Sequence, residues 1–202
     1  RTKGVIKGAF ESVKTKTNSN DPKVQPLIRA FQGKLPTYIA CNGPGDALHL
    51  LKLLEPYRKI KAVLLCDREI YLVSDILAKK KIGVILPAQL DRERNTLTRI
   101  NVPKMLSKSG VKISLCPRYD TIEYQMDFLR TVAELVKYGL DKNIAKRAIT
   151  IHPAEMLGVD YRLGSLDVGK DANLLVLSGD ILDAATKIEM VMIEGKVVHK
   201  AP

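Results

Sequence analysis

Cys41, Cys66 and Cys116 are the only three thiols in the chain, and each closes a short apolar run: Tyr38-Ile39-Ala40-Cys41, Ala62-Val63-Leu64-Leu65-Cys66 and Val111-Lys112-Ile113-Ser114-Leu115-Cys116. Three thiolates converging on one mouth could bind a soft metal or carry redox chemistry. The competing reading is that cysteine is a small, often buried hydrophobe that suits a strand end, and it carries more weight. An odd number at wide spacing does not resemble a secreted disulfide framework. The carboxylates Asp46, Asp67, Asp120 and Glu123 follow the same runs, and two of them could form an acid/base pair, with Asp120 the candidate catalytic group. Arg68, Arg118 and Tyr119 could hold an anion there instead. The histidines add little: His49 falls on a helix, His199 on the last strand, and His152 at a corner where a hydrogen bond would hold the turn.

These side chains need elements to position them. Val5, Ile6, Ala9, Phe10 and Val13 recur at helical spacing and predict an amphipathic helix from Thr2 to Thr17. A short helix follows over about Val24 to Phe31, with Gly33 as its stop. The middle of the chain then repeats a strand and a helix. Tyr38 to Cys41 precedes a helix carrying Ala47, Leu48, Leu50, Leu51 and Leu54; Ala62 to Cys66 precedes one over Ile70 to Ala78. Val84 to Leu86 leads through a long polar loop to a helix near Val102 to Ser107; Val111 to Cys116 precedes one from Met126 to Tyr138, closed by Gly139. Such alternation implies a parallel sheet. Four units are half of a (β/α)₈ barrel, and periodicity alone leaves an open doubly wound sheet as the alternative. Next, Pro153 fits the first turn of a short helix that Gly158 can close in a left-handed conformation. Asp171 to Leu177 and Ile188 to Val198 read as strands, with a hairpin turn at Glu194-Gly195.

The chain has 202 residues, 46% apolar and 27% charged, which suffices for an ample core without disulfide or metal staples. It has no apolar run of membrane-spanning length. It begins with Arg1, so a cleaved leader or an upstream region is compatible with the sequence. A soluble protein of the cytoplasm or periplasm is expected. The net charge of +11 could suggest nucleic acid, but the 33 basic residues are scattered and few aromatics are available to stack on bases. Lys79-Lys80-Lys81 is the densest basic run.

The run from Ala148 to Leu177 is the most specific in the sequence. Its Thr150, Pro153, Ala154, Leu157, Gly158, Arg162, Gly164, Ser165, Leu166, Gly169, Lys170, Ala172, Leu174 and Val176 resemble the C-terminal segment of the amidohydrolase superfamily, near the imidazolonepropionase and prolidase-like dipeptidase branch. His152 takes the Asn/His position of that pattern. The resemblance implies residues 1–170 as the C-terminal half of the barrel, strands five to eight, and residues 171–202 as strands of a composite β-sandwich. It implies metal ligands at strand ends: a histidine on each of the fifth and sixth strands and an aspartate on the eighth, holding one or two ions, usually zinc.

Carried onto this sequence, those positions fall on Ala40 (or Asn42), Cys66 and Arg118 (or Asp120). Alanine has no donor, and arginine cannot be deprotonated in a protein. The expectation is therefore a degenerate metal site with no cofactor, in a non-catalytic subunit that completes its barrel with an N-terminal half or a homologous amidohydrolase chain, as a homo- or hetero-oligomer. The alternative is an active metal-dependent hydrolase, with zinc as the metal, of C–N or dipeptide bonds whose remaining ligands lie in another segment, with Cys66 and Asp120 as unusual substitutes; Cys41 and Cys116 are the other metal candidates.

Overall fold

The computed structural model describes Gly8, residues 21–66 and residues 68–202. The helix expected over Thr2 to Thr17 lies outside these residues, apart from Gly8, which is helical. Four strands, β1 (Pro36–Cys41), β2 (Lys61–Cys66), β3 (Gly83–Pro87) and β6 (Ile113–Cys116), form one parallel sheet in the order β1-β2-β3-β6. The long polar loop after β3 contains a two-residue hairpin, β4 (Asp91–Arg92) with β5 (Arg99–Ile100), that periodicity cannot reveal because each arm is too short.

Alternation along the strands sorts their side chains onto two faces. Leu64, Val84 and Ile113 align in register on one face, and Cys41, Cys66, Leu86 and Leu115 follow them two residues on; all are buried under the helices. Each leucine or isoleucine fully buried there contributes roughly 2 kcal/mol relative to exposure. The opposite face carries the row Ala40, Leu65, Ile85 and Ser114. It is the more open one: Tyr38 and Leu65 are 38% and 40% exposed.

Helices α1 (Gln25–Phe31), α2 (Pro44–Leu54), α3 (Ser74–Lys79), α4 (Val102–Lys108), α5 (Ile122–Met126), α6 (Phe128–Lys137), α7 (Lys142–Ala148) and α8 (Ile151–Leu157) have ends that follow from local chemistry. Pro44 opens α2, which turns Ala47, Leu50, Leu51 and Leu54 inward. The Asn101 side chain caps α4 by accepting from Lys104 N at 3.0 Å, and its amide donates to Leu135 O at 2.8 Å, tying α4 to α6. Asp141 caps α7 through Ile144 N. Two expected helices are divided. The stretch over Ile70 to Ala78 is a 3₁₀ turn (Arg68–Val73) followed by α3, and that over Met126 to Tyr138 begins earlier, as α5, and breaks at Asp127 before α6. Gly139, at φ 93°, closes α6, with Leu140 N bonding back to Leu135 O.

At the C-terminal end, β7 (Leu174–Leu177), β8 (Ile188–Ile193) and β9 (Lys196–Lys200) form an antiparallel sheet in that order. Glu194 and Gly195, both at positive φ, make the expected hairpin turn. Asn173 Oδ1 accepts from Glu194 N at 2.7 Å and so holds that turn against the start of β7. The described residues form one sheet here; a second layer is not among them.

Candidate functional site

The corner motif closes the N-terminal end of the parallel sheet. Gly158, at φ 70°, ends α8 with Val159 N bonding back to Ala154 O, so the short helix is fixed at its exit. Three contacts then seat α8 against three different strands. The Tyr38 hydroxyl, on the open face of β1, donates to Met156 O at 2.9 Å. Met156 lies over Gly83 of β3, where a Cβ would stand 2.9 Å from its terminal methyl. His152 Nδ1 meets Ile113 O of β6 at 2.9 Å.

His152 is 6% exposed, and its partners fix its tautomer. A carbonyl only accepts, so Nδ1 carries the proton; Arg147 Nε donates to Nε2 at 3.1 Å, so Nε2 is bare. Burial holds the pKa of His152 below the ordinary histidine value; the Ile113 bond opposes this, and the Arg147 charge adds to it. Lys112 O accepts from Val84 N of β3 and Cys116 O from Ala88 N just past it, so alternation aims Ile113 O at the opposite edge of β6, where His152 satisfies it. His49 and His199 are exposed.

Beyond α8, Gly164 (φ 91°) presses against the helix: a Cβ there would lie 2.8 Å from Ala154 Cβ and 2.9 Å from Ile151 Cα. Arg162 donates twice to Asp171 Oδ2, at 3.0 and 2.6 Å, and Lys170 bonds Ser165. Gly169, at φ 88°, completes the turn. Asp180 binds Lys142 and Lys146 of α7, which anchors the loop after β7; Lys146 is the first cause that depresses its pKa. All six motif positions singled out in the sequence, His152, Pro153, Gly158, Gly164, Gly169 and Lys170, therefore lie in α8 or in the loop that leads from it to β7.

The C-terminal ends of the strands hold the sequence-derived ligand candidates. Cys41 and Cys66 are register partners, and both are buried on the helix side. All three cysteines are free thiols. The bond from the Cys66 thiol lowers the Cys41 pKa, against burial and the Asp46 charge. Cys116 lies two strands from Cys66 and on the other face, beside Leu86 O at 3.6 Å, with its pKa raised by burial. The structure thus brings two of the three thiols together, because residue parity sends Cys116 to the opposite face. Ala40 lies on the open face, and its register neighbour there is Leu65. Arg118 is exposed and packs on the Tyr119 ring at 5.3 Å; that ring meets Tyr124 edge-on at 4.9 Å. Asp120 is exposed and accepts from Gln125 at 2.9 Å. The pKa of Glu123 is lowered by its bond from Thr121. Asp46 accepts from Asn42 N at 3.3 Å. Asp67 lies outside the described residues. No group of three or more His, Cys, Asp or Glu among the described residues could hold a metal ion, so the donors present there do not fit a zinc centre. No described helix is long and apolar enough to cross a membrane.

A parallel sheet packed beneath helices and closed at its N-terminal end by such a corner has the arrangement of part of an α/β barrel. The chain belongs to the amidohydrolase family, whose pattern matches residues 36–198. It is similar to an amidohydrolase from Thermotoga maritima MSB8, with 27% identity and a TM-score of 0.83, over 98% of this chain and 55% of that one. A prolidase complexed with N-methylphosphonate-L-proline shares the fold at 15% identity and a TM-score of 0.61, over 81% of this chain and 45% of that one. Another amidohydrolase does so at 16% and 0.65, over 87% and 47%. The chain spans about half the length of these solved structures. A search of curated proteins finds no match.

Proposed function

We propose that this chain supplies strands five to eight of an amidohydrolase barrel whose metal site is degenerate, and that it acts as a non-catalytic, structural or regulatory subunit. The observation that carries the reading is the open-face row at the strand ends. Ala40 stands where a fifth-strand ligand belongs, and Leu65 is beside it. Neither can donate to a metal.

Its partner is an N-terminal barrel half, on the same or another polypeptide, or a homologous chain. Among the described residues β1 pairs only with β2, and β6 only with β3, and exposed strand edges seek partners. The apolar cleft of about 1020 Å³ between α7 and the β7–β8 sheet is where further sandwich strands would pack. Native mass spectrometry of the purified assembly should find a completing polypeptide or homologous subunit. Elemental analysis should find substoichiometric metal. A stable, hydrogen-exchange-protected monomer of the 202 residues would sink the completion proposal. Chelator-sensitive hydrolysis of dipeptides or N-acyl amino acids that vanishes in Cys66→Ala would overturn the non-catalytic reading. It would favour the rival, an active hydrolase with ligands from the completing half, in which Asp120, held by Gln125 just past β6, takes part.

A further inference from the structure

Each of the four parallel strands is entered through a lysine. Lys34 stands two residues before β1, Lys61 opens β2, Lys81 stands two residues before β3, and Lys112 immediately precedes β6. In a parallel sheet every crossover returns the chain to the same end, so this sequence repeat becomes a row of lysines along one end of the sheet. The row, joined by Lys80, lines a cleft of about 730 Å³ together with Pro36, Val63 and Met156, at the end of the sheet opposite the ligand positions discussed above.

Two of these lysines are engaged: Lys112 binds Glu155 at 2.6 Å and Lys80 binds Glu55 at 3.4 Å. Lys34, Lys61 and Lys81 have no ion-pair partner among the described residues. Asp160 is the other carboxylate on the lining, which therefore carries five lysines against two acids. Lys81 also runs against local stability. It follows α3 at φ 55°, with Ile82 N bonding back to Leu77 O, the position that glycine fills most easily. A charge kept there at a conformational cost suggests use.

We propose that this cleft is a binding site for a small polyphosphate anion, such as the phosphate end of a nucleotide. The volume is that of a small-molecule site, and a concave basic lining concentrates the field on a compact polyanion. Lysine is a point-charge phosphate binder, and the lining holds no arginine fork of the kind that favours carboxylates. The inference is independent of whether the other end of the sheet is catalytic.

The test titrates inorganic tripolyphosphate into the purified native assembly by calorimetry at low salt. The native protein should bind one equivalent saturably. Lys34→Gln/Lys61→Gln/Lys81→Gln should bind at least about tenfold more weakly, since three charge-assisted contacts are lost. Lys23→Gln/Lys137→Gln/Lys196→Gln removes the same net charge from exposed lysines elsewhere and should stay within about twofold of native. Lys81→Gly separates folding from binding: it should be at least as heat-stable as the native protein and yet bind several-fold more weakly. Absent saturable binding, equal loss in both triple variants, or a single-stranded oligonucleotide that binds more tightly than tripolyphosphate and is weakened equally by both would overturn the proposal.

Discussion

The contact of His152 with β6 makes a quantitative prediction. Replacing it with leucine fills similar volume but removes the side-chain donor that reaches Ile113 O. An orphaned buried carbonyl costs roughly 1–3 kcal/mol, and the lost Arg147 bond adds roughly 1 kcal/mol. His152→Leu should therefore destabilise by about 3 kcal/mol, or a Tm fall of roughly 6–12 °C for a domain of this size. His152→Asn keeps an amide donor for Ile113 O and should cost only about 1 kcal/mol.

The pH dependence separates these variants further. The unfolded chain protonates histidine near pH 6.5, whereas the folded ring, buried and bonded as the neutral form, resists the proton. More protons are then bound by the unfolded state, so the contribution is fully present above about pH 6.5. It is lost as the pH falls from there through the lowered folded pKa, at no more than about 1.4 kcal/mol per pH unit. Urea unfolding at steps between pH 7.5 and 5.0 should show this loss in the native protein and not in His152→Asn. Parallel pH profiles for the two proteins, or a leucine variant as stable as the native chain, would refute the assignment.

Three other perturbations follow from the packing. Gly164→Ala should cost roughly 2–4 kcal/mol by thermal unfolding, since its φ of 91° disfavours a side chain and the new Cβ meets fixed backbone; Gly83→Ala, whose nearest neighbour is the mobile end of Met156, should cost clearly less. Asn101→Ala removes both the α4 cap and a buried bond to α6 and should lose roughly 2–3 kcal/mol in denaturant unfolding. Asp180→Asn should raise hydrogen exchange in β7–β9 while leaving β1–β3 protected. In the native protein the same loosening should appear as acid protonates Asp180, because a depressed carboxylate pKa gives stability that is present above the unfolded value near 3.9 and lost as the pH falls.

The positions of the four parallel strands and of most helices were legible because apolar runs bounded by Gly, Pro and Asn report burial directly, whereas the order of the strands in the sheet was not. Gly139 and Gly158 each end a helix for a reason visible in the chain. The hairpin at Asp91 to Ile100 was not visible, since two-residue strands have no period. Nor was the break at Asp127, because the helical spacing of the sequence continues across it while the backbone departs from helical geometry there (φ −80°, ψ −6°). The role of the corner was the larger gap. The sequence marked His152 as holding a turn; besides its local bond from Arg147, its ring reaches 39 residues back to β6, and no local pattern encodes that second partner.

The thiols illustrate a general limit of reading a site from strand ends. Three residues that end three strands share a level along the sheet but not a face, because the face depends on the parity of the last position. Register makes the parity plain: Cys41 pairs Cys66 and continues to Leu86 and Leu115, all beneath the helices, while Cys116 pairs Pro87 on the other side. The family-derived positions divide in the same way, since Ala40 faces the open side and Cys66 does not. A histidine placed at Cys66 would enter the helix-packed core, where its polar ring lacks water; placed at Leu65 it would stand beside residue 40, the arrangement that two neighbouring strand ligands require. The proposal that this rim is degenerate therefore rests more on Ala40 and Leu65, side by side and both without a side-chain donor atom, than on the cysteines that first draw attention to it.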